Sequence, residues 1–411
     1  MKMLTNRQFP MIGIRLAVLV ILGCAGSTLA AGKRVMPWDL PTLGRTPKVH
    51  ATTERPANGL KSFFYEGANY KGKPTWVFSY YGVPKGKPPL GGWPAIVCAH
   101  GGGGSAFPAW VRHWNSKGYA AISMDLEGHL PGGNHFGVQG NHPLNQPHKN
   151  AGPSRISWFG DIALPDKEQW FYHAVADVIR AHSLLRSYPE INKKHIGLTG
   201  ISWGGTIAST VAGVDSRFEF VIPVYGCGYI RQHEMTDAQY KEYMRKWDPA
   251  AHLPYAKMPM LWVVGANEPV FPLDKFCASA EIAGGQSIIC IRPFLPHGHG
   301  FGWEEVWEID GFANGIVNGK APMPSIERPK VAADGRVHAK FTGPIGTAKV
   351  AYTRSDSWKN GILPSIPCSI KDGEVIANQP LPGNAKAFMI DARGSKPWGG
   401  GSVNSVLVKV K

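Results

Sequence analysis

Between residues 76 and 295 the chain alternates continuous apolar runs with stretches of helical periodicity. The runs are "WVFSYYG" (76–82), "AIVCAHG" (95–101), "YAAISMDLEG" (119–128), "HIGLTGIS" (195–202), "FEFVIPVYG" (218–226), "MLWVVGANE" (260–268) and "SIICIRPFL" (287–295). Apolarity that is continuous, not alternating, predicts strands covered on both faces, hence a mainly parallel sheet with crossover helices. The clearest helix is predicted from Pro165 to Tyr188. There Phe171, Val175, Val178, His182 and Leu185 recur at helical spacing, with Asp166 and Glu168 in the first turn and Arg186 in the last. Beyond about residue 322 the pattern changes to short runs broken by Gly, Pro and Asn: "VHAKFTG", "TAKVAYTR", "GEVIANQP", "AKAFMIDARG" and "VNSVLVKV". These predict a small antiparallel β-sandwich, with a domain boundary near Pro322.

Two long segments interrupt the α/β alternation. Residues 128–161, rich in Gly, Pro, Asn and His, follow a strand end, and residues 227–257 read as a second, cap-like insertion. Segments this long inside a compact domain are usually functional or disordered. At the start, basic residues in "MKMLTNRQFPMIGIR" precede "LAVLVILGCAG" and then "STLAAG". That order predicts a secretory signal (1–31) cleaved after Ala30 or Ala31, leaving a catalytic domain over 32–321 and the sandwich over 322–411. The apolar stretch is short for a transmembrane span. "ILGC" is a loose lipobox, so lipid anchoring at Cys24 stands beside soluble export to the periplasm or medium.

Composition narrows the class without choosing an activity. At 411 residues the chain can bury a large core. Its formal charge of +15 comes from Lys and Arg scattered along the chain, with no basic run beyond adjacent pairs and no RNA or DNA motif, which argues against nucleic acid. An anionic polysaccharide, or solubility alone, accommodates that excess. Cys98, Cys227, Cys277, Cys290 and Cys368 form no legible disulfide framework, although a Cys277–Cys290 bridge is conceivable in an oxidising compartment.

The chemistry concentrates after the strands. Gly200-Ile201-Ser202-Trp203-Gly204 satisfies G-x-S-x-G, with a strand before it and a helix after it. Such an elbow raises a nucleophilic serine above the sheet edge. It calls for an oxyanion hole after an earlier strand, and "CAHGGGGS" supplies one: we expect Gly102 and the N–H of Trp203 as the donors. A phosphate loop is the competing reading, but no Gly-Lys-Ser/Thr follows. The elbow also calls for an acid and then a histidine. Glu268, at a strand end in "WVVGANEPVFPLD", is the expected acid, with Asp274 as a substitute. His299 in "RPFLPHGHGFGW" is the expected base and His297 its structural neighbour. A zinc site on these histidines with His135 or His142 lacks any supporting ligand spacing. No metal or cofactor is therefore expected.

With "HGGGG", "GISWGG", "AGVDSRFEFVIPVYGCG", "GANEPVFPLD" and "HGHGFGW" in view, residues 75–320 resemble the α/β-hydrolases. The likeness is to the branch shared by acetyl xylan esterases, dienelactone hydrolases and prolyl-oligopeptidase-type peptidases. "SWGG" with the downstream "YGCG" especially resembles secreted acetyl-xylan-type esterases. The resemblance implies ester hydrolysis without a cofactor, on acylated carbohydrate or another small ester. One departure stands out: the family usually has Asp where this chain has Glu268, which keeps Asp274 open.

The leading expectation is thus an exported serine carboxylic-ester hydrolase that deacetylates polysaccharide through an acyl-enzyme. Trp158, Phe159, Trp203 and Trp303 near the site suit sugar stacking, but suit a core equally. A prolyl-oligopeptidase-type peptidase is the first alternative, weakened by the absence of an N-terminal propeller. A uronic-acid methyl esterase gains ground if Arg155 or Arg231 faces the site. A non-catalytic carbohydrate-binding protein on a hydrolase scaffold is the fourth reading, since fold does not guarantee function. Oligomeric state is not legible.

Overall fold

The computed structural model describes residues 34–132, 145–231, 235–304, 306–319, 323–355, 363–396, 398 and 400–410. The expected leader, Cys24, His135, His142, Pro322 and the side chain of Trp303 lie outside the described residues.

The apolar runs become one twisted sheet. Its strands are β1 (Val49–Ala51), β2 (Lys61–Glu66), β3 (Trp76–Gly82), β4 (Trp93–Ala99), β5 (Ala120–Met124), β6 (Ile191–Ile201), β7 (Phe220–Val224), β8 (Met260–Gly265) and β9 (Ser287–Arg292). Pairing gives the spatial order β1-β2-β3-β5-β4-β6-β7-β8-β9. The first three strands pair antiparallel and β5 onward run parallel, so the chain reverses its strand order at β4. Ligand sites in open α/β sheets gather at the carboxyl ends of strands near such a reversal.

Helices cover both faces, as continuous apolarity requires. They include α1 (Pro108–Ser116), α2 (Trp170–Leu185), α3 (Trp203–Val214), α4 (Asp237–Lys246), α5 (Leu273–Ile282) and α6 (Trp307–Val317). The helix expected over 165–188 forms as a short 3₁₀ turn, Asp166–Glu168, followed by α2. It is buried on nearly every side, and α3 is buried throughout. A helix apolar all round belongs at the centre of a fold.

The C-terminal strands are antiparallel, as their alternation requires: β10 (Arg336–Thr342), β11 (Ile345–Thr353), β12 (Ser365–Lys371), β13 (Glu374–Pro380), β14 (Ala387–Gly394) and β15 (Ser402–Asn404). Every second residue turns into a separate core, with Val337, Val350, Val375 and Ile390 among its members. β15 then joins the main sheet, pairing antiparallel with β9 at Ile289 and Asn404. Glu308 on α6, 1% exposed, closes that seam by accepting from Arg292 at 2.8 Å and from the Ser402 amide at 3.0 Å. All five cysteines beyond the leader are free thiols, so Cys277 and Cys290 are not bridged.

Two acids are buried near one another, each with one oxygen that makes no hydrogen bond, Asp125 Oδ2, which stands 3.9 Å from His100 Nε2, and Asp177 Oδ1. Together with His148 and His173 they line a cavity of about 10 Å³, room for roughly one water. Desolvation pushes Asp125 up to about 7 and Asp177 up to about 8, the latter against the pull of Arg180.

Two predictions follow from this architecture. Glu308→Ala leaves Arg292 half-buried and unpaired and frees the Ser402 amide, so chemical denaturation should show a loss of about 2 kcal/mol. The raised Asp177 means the folded state holds more protons than the unfolded one between about pH 4 and about pH 8. Stability therefore falls as pH rises through that window, and Asp177→Asn should flatten the fall in Tm measured from pH 5 to pH 8.5.

Candidate active site

At the end of β6 the chain turns into α3 through Ser202, whose backbone sits at φ +57°, ψ −118°. A non-glycine residue held there is strained, and such strain persists only where the surroundings enforce it. Here two close backbone approaches do so. A Cβ on Gly204 would lie 2.0 Å from the Ala99 carbonyl oxygen, and one on Gly200 would lie 2.0 Å from the oxygen of Gly204. Neither position admits a side chain. The Ser202 amide donates to Val224 O at 2.9 Å, fastening the turn to β7.

The serine hydroxyl meets an imidazole, and it is that of His297. His297 Nε2 stands 3.0 Å from Ser202 Oγ, and its Nδ1 stands 2.9 and 3.0 Å from the two Glu268 oxygens. Glu268 is buried at the end of β8 and accepts the amides of Val270 and Phe271 at 2.8 and 3.1 Å, which hold the carboxylate in place. Phe271 lies nearly parallel to the His297 ring at 6.1 Å, and Tyr225 flanks it at 4.6 Å. The Tyr225 hydroxyl donates to Gly298 O, fixing the loop that carries the histidine.

This corrects the expectation for His299. Its Nε2 accepts the Gly101 amide at 3.0 Å, and its ring packs on Phe107 at 4.8 Å. With that lone pair occupied, His299 anchors the glycine loop and His297 takes the place between serine and acid. Asp274 is no substitute acid, because it pairs with Lys409 at 2.8 Å.

The glycine loop follows β4. Gly101 N donates to His299, Gly103 N to Glu127 Oε1 at 3.1 Å, and Gly104 N to Gly101 O at 3.0 Å. Among the described residues the amides of Gly102 and Trp203 have no protein acceptor. Gly102 packs directly on Trp203: a Cβ there would fall 2.7 Å from Trp203 Cδ1. Both expected oxyanion donors are thus unspent, and Gly102 lies against the Trp203 indole.

Glu127 is a member of the site that the sequence reading missed. It is 5% exposed, and its Oε1 receives both the Gly103 amide and Arg155 Nε, the latter at 2.9 Å. Arg155 lies over the Trp170 ring at 5.9 Å, and its Nη2 would be 2.9 Å from a Cβ on Gly102. The signal available was an acid directly after a strand in "MDLEG". Trp158 and Phe159 both pack on Trp203, at 4.8 and 5.3 Å. Among the described residues no group of three or more His, Cys, Asp or Glu is placed to hold a metal ion.

A family model described as acetyl xylan esterase (AXE1) matches residues 64–256, a span that includes the elbow and the glycine loop. An acetyl xylan esterase from Paenibacillus sp. R4 has a similar structure, with a TM-score of 0.51 and 20% identity over 67% of this chain and 92% of that one. The chain has an α/β-hydrolase-like fold. The matched family and the serine at the elbow make it, by class, a serine carboxylic-ester hydrolase. Acetyl xylan esterase 1 from Thermoanaerobacterium sp. JW/SL YS485 is less similar, with a TM-score of 0.45 and 16% identity over 66% of this chain and 92% of that one. A Pyrococcus horikoshii acylaminoacyl peptidase reaches a TM-score of 0.40 and 18% identity over 59% of this chain and 38% of its own. No curated protein sequence matches.

The two histidines can be separated by mutation. His297→Ala should cost on the order of 10⁴-fold or more in kcat with a small ester. His299→Ala removes one loop hydrogen bond and should cost only about tenfold. Steady-state kinetics with p-nitrophenyl acetate reads both, and the reverse ranking would restore His299 as the base.

Proposed function

We propose that this α/β-hydrolase removes acetyl groups from polysaccharide, or fragments of it, through a Ser202–His297–Glu268 triad and an acyl-enzyme. One observation carries the reading: a complete serine–histidine–carboxylate hydrogen-bond chain reaches Ser202, which lies with the unspent amides of Gly102 and Trp203 in the segment, residues 64–256, matched by an acetyl xylan esterase model.

In this mechanism His297 takes the Ser202 proton as Oγ attacks the acetyl carbonyl. Glu268 keeps the remaining imidazole proton on Nδ1 and stabilises the imidazolium. The amides of Gly102 and Trp203 meet the oxyanion, each donor worth roughly 3 kcal/mol in the transition state. His297 then gives its proton to the departing sugar oxygen, leaving acetyl-Ser202. Water attacks that ester, His297 again accepts the proton, and acetate leaves as Ser202 is restored.

Export fits this role, and the basic leader with its apolar stretch supports it. The C-terminal strands serve as a β-sandwich module on the sheet edge, and boundaries at 31 and near 322 divide the chain. The complete triad geometry weighs against a non-catalytic binding protein. The peptidase and methyl-esterase readings draw nothing from the matched family, although Arg155 beside Gly102 meets the condition that favours a uronic-acid methyl esterase.

The mature protein should hydrolyse p-nitrophenyl acetate and release acetate from acetylated xylo-oligosaccharides. A fluorophosphonate should label the wild type, and Ser202→Ala should abolish labelling and lower kcat by roughly 10⁶-fold. An unlabelled wild type inert towards both esters would overturn the mechanism.

A further inference from the structure

Beside the triad lies an open groove of about 410 Å³, lined in part by Trp158, Tyr229, Tyr240, Arg231 and Lys275. Trp158 joins it to the chemistry, because its ring contacts Trp203 at 4.8 Å and Phe271 at 5.8 Å, and Phe271 stacks on His297. The groove is held in a costly conformation. Ser157 and Phe159, on either side of Trp158, have φ of +49° and +66°, and Tyr229 has +60°. With Ser202 and Tyr225, they account for five of the nine left-handed non-glycine residues among those described. Strain gathered at one place marks a functional surface more often than a packing accident.

Its charge is one-sided. Arg231 lies over Tyr240 at 5.0 Å and pairs with Asp237. Lys275 is exposed and makes no ion pair among the described residues; its neighbour Asp274 is taken by Lys409. Asp248, beneath Tyr229, is buried and occupied by the amides of Tyr229 and Ala250. What faces the groove is therefore three aromatic rings beside aliphatic Ile230, Val270 and Pro272, with a surplus cation. Aromatic faces receive the apolar side of a sugar ring, and Lys and Arg receive a carboxylate.

We propose that this groove is a subsite for the glycan carrying the ester, and that it selects chains bearing a uronic-acid carboxylate near the acetylated sugar. The carboxylate is recognised, not cleaved. The assignment rests on the carbohydrate-esterase reading, and binding can be measured apart from turnover.

The test is calorimetric titration of full-length mature Ser202→Ala with unacetylated xylo-oligosaccharides of equal length, either neutral or carrying one glucuronic acid. The acidic chain should bind about fivefold more tightly at low salt, the scale of one exposed charge pair, and the preference should shrink as salt rises. Adding Lys275→Ala, an exposed change that leaves the core intact, should erase most of the preference. Adding Trp158→Ala should weaken both ligands. Equal binding of the two chains, a preference that survives Lys275→Ala, or no binding of either overturns the subsite. Binding as expected, with no acetate released by the wild type from the acetylated forms, would instead sink the deacetylase reading and leave the groove standing.

Discussion

The site depends on how closely three pieces of backbone can approach. The end of β4, the end of β6 and the first turn of α3 meet where Gly200 and Gly204 leave no room for a Cβ. That approach forces Ser202 into left-handed backbone and lifts its hydroxyl off the sheet. It also sets the first turn of α3 against the end of β4, and a helix N-terminus has donors to spare. A methyl group at either glycine would separate nucleophile from oxyanion donors before any catalytic side chain was touched.

Preorganisation then comes from occupying every competing group. The loop's other amides are already committed, Gly101 to His299, Gly103 to Glu127 and Gly104 within the loop. Gly102 is held between two such bonds, since both of its neighbours are fastened to side chains outside the loop. An amide fixed this way costs no reorganisation when negative charge develops, which is where electrostatic catalysis gains most. Glu127 also holds Arg155 against Gly102, so a single buried carboxylate organises both the donor loop and the cation beside it.

Much of the fold was legible because burial on both faces writes itself as continuous apolar sequence. Each of the runs between 76 and 295 formed a strand. The strand Lys61–Glu66 was missed because "KSFFYE" is short and flanked by charge, and Ser365–Lys371 because Pro367 interrupts it and only alternate residues are buried. In the site, the elbow, the glycine loop and Glu268 follow from motif and strand-end logic. The choice of histidine does not. His297 and His299 sit in an irregular loop with a glycine between them, where no periodicity assigns a facing. Tertiary contacts decide it: Tyr225 pins Gly298, Phe271 stacks on one ring, and Phe107 packs on the other.

Glutamate as the acid also has a physical basis here. Its side chain is one methylene longer than that of aspartate, so its carboxylate must be held from behind to keep the imidazole in register. The amides of Val270 and Phe271 do this, both donating to Oε1. Phe271 thus holds the acid through its backbone while its ring lies over His297, and Trp158 leans on that same ring from the groove. Acid, base and groove wall therefore share one residue. Trp158, Phe271 and His297 thus form a continuous series of ring contacts from the groove to the base.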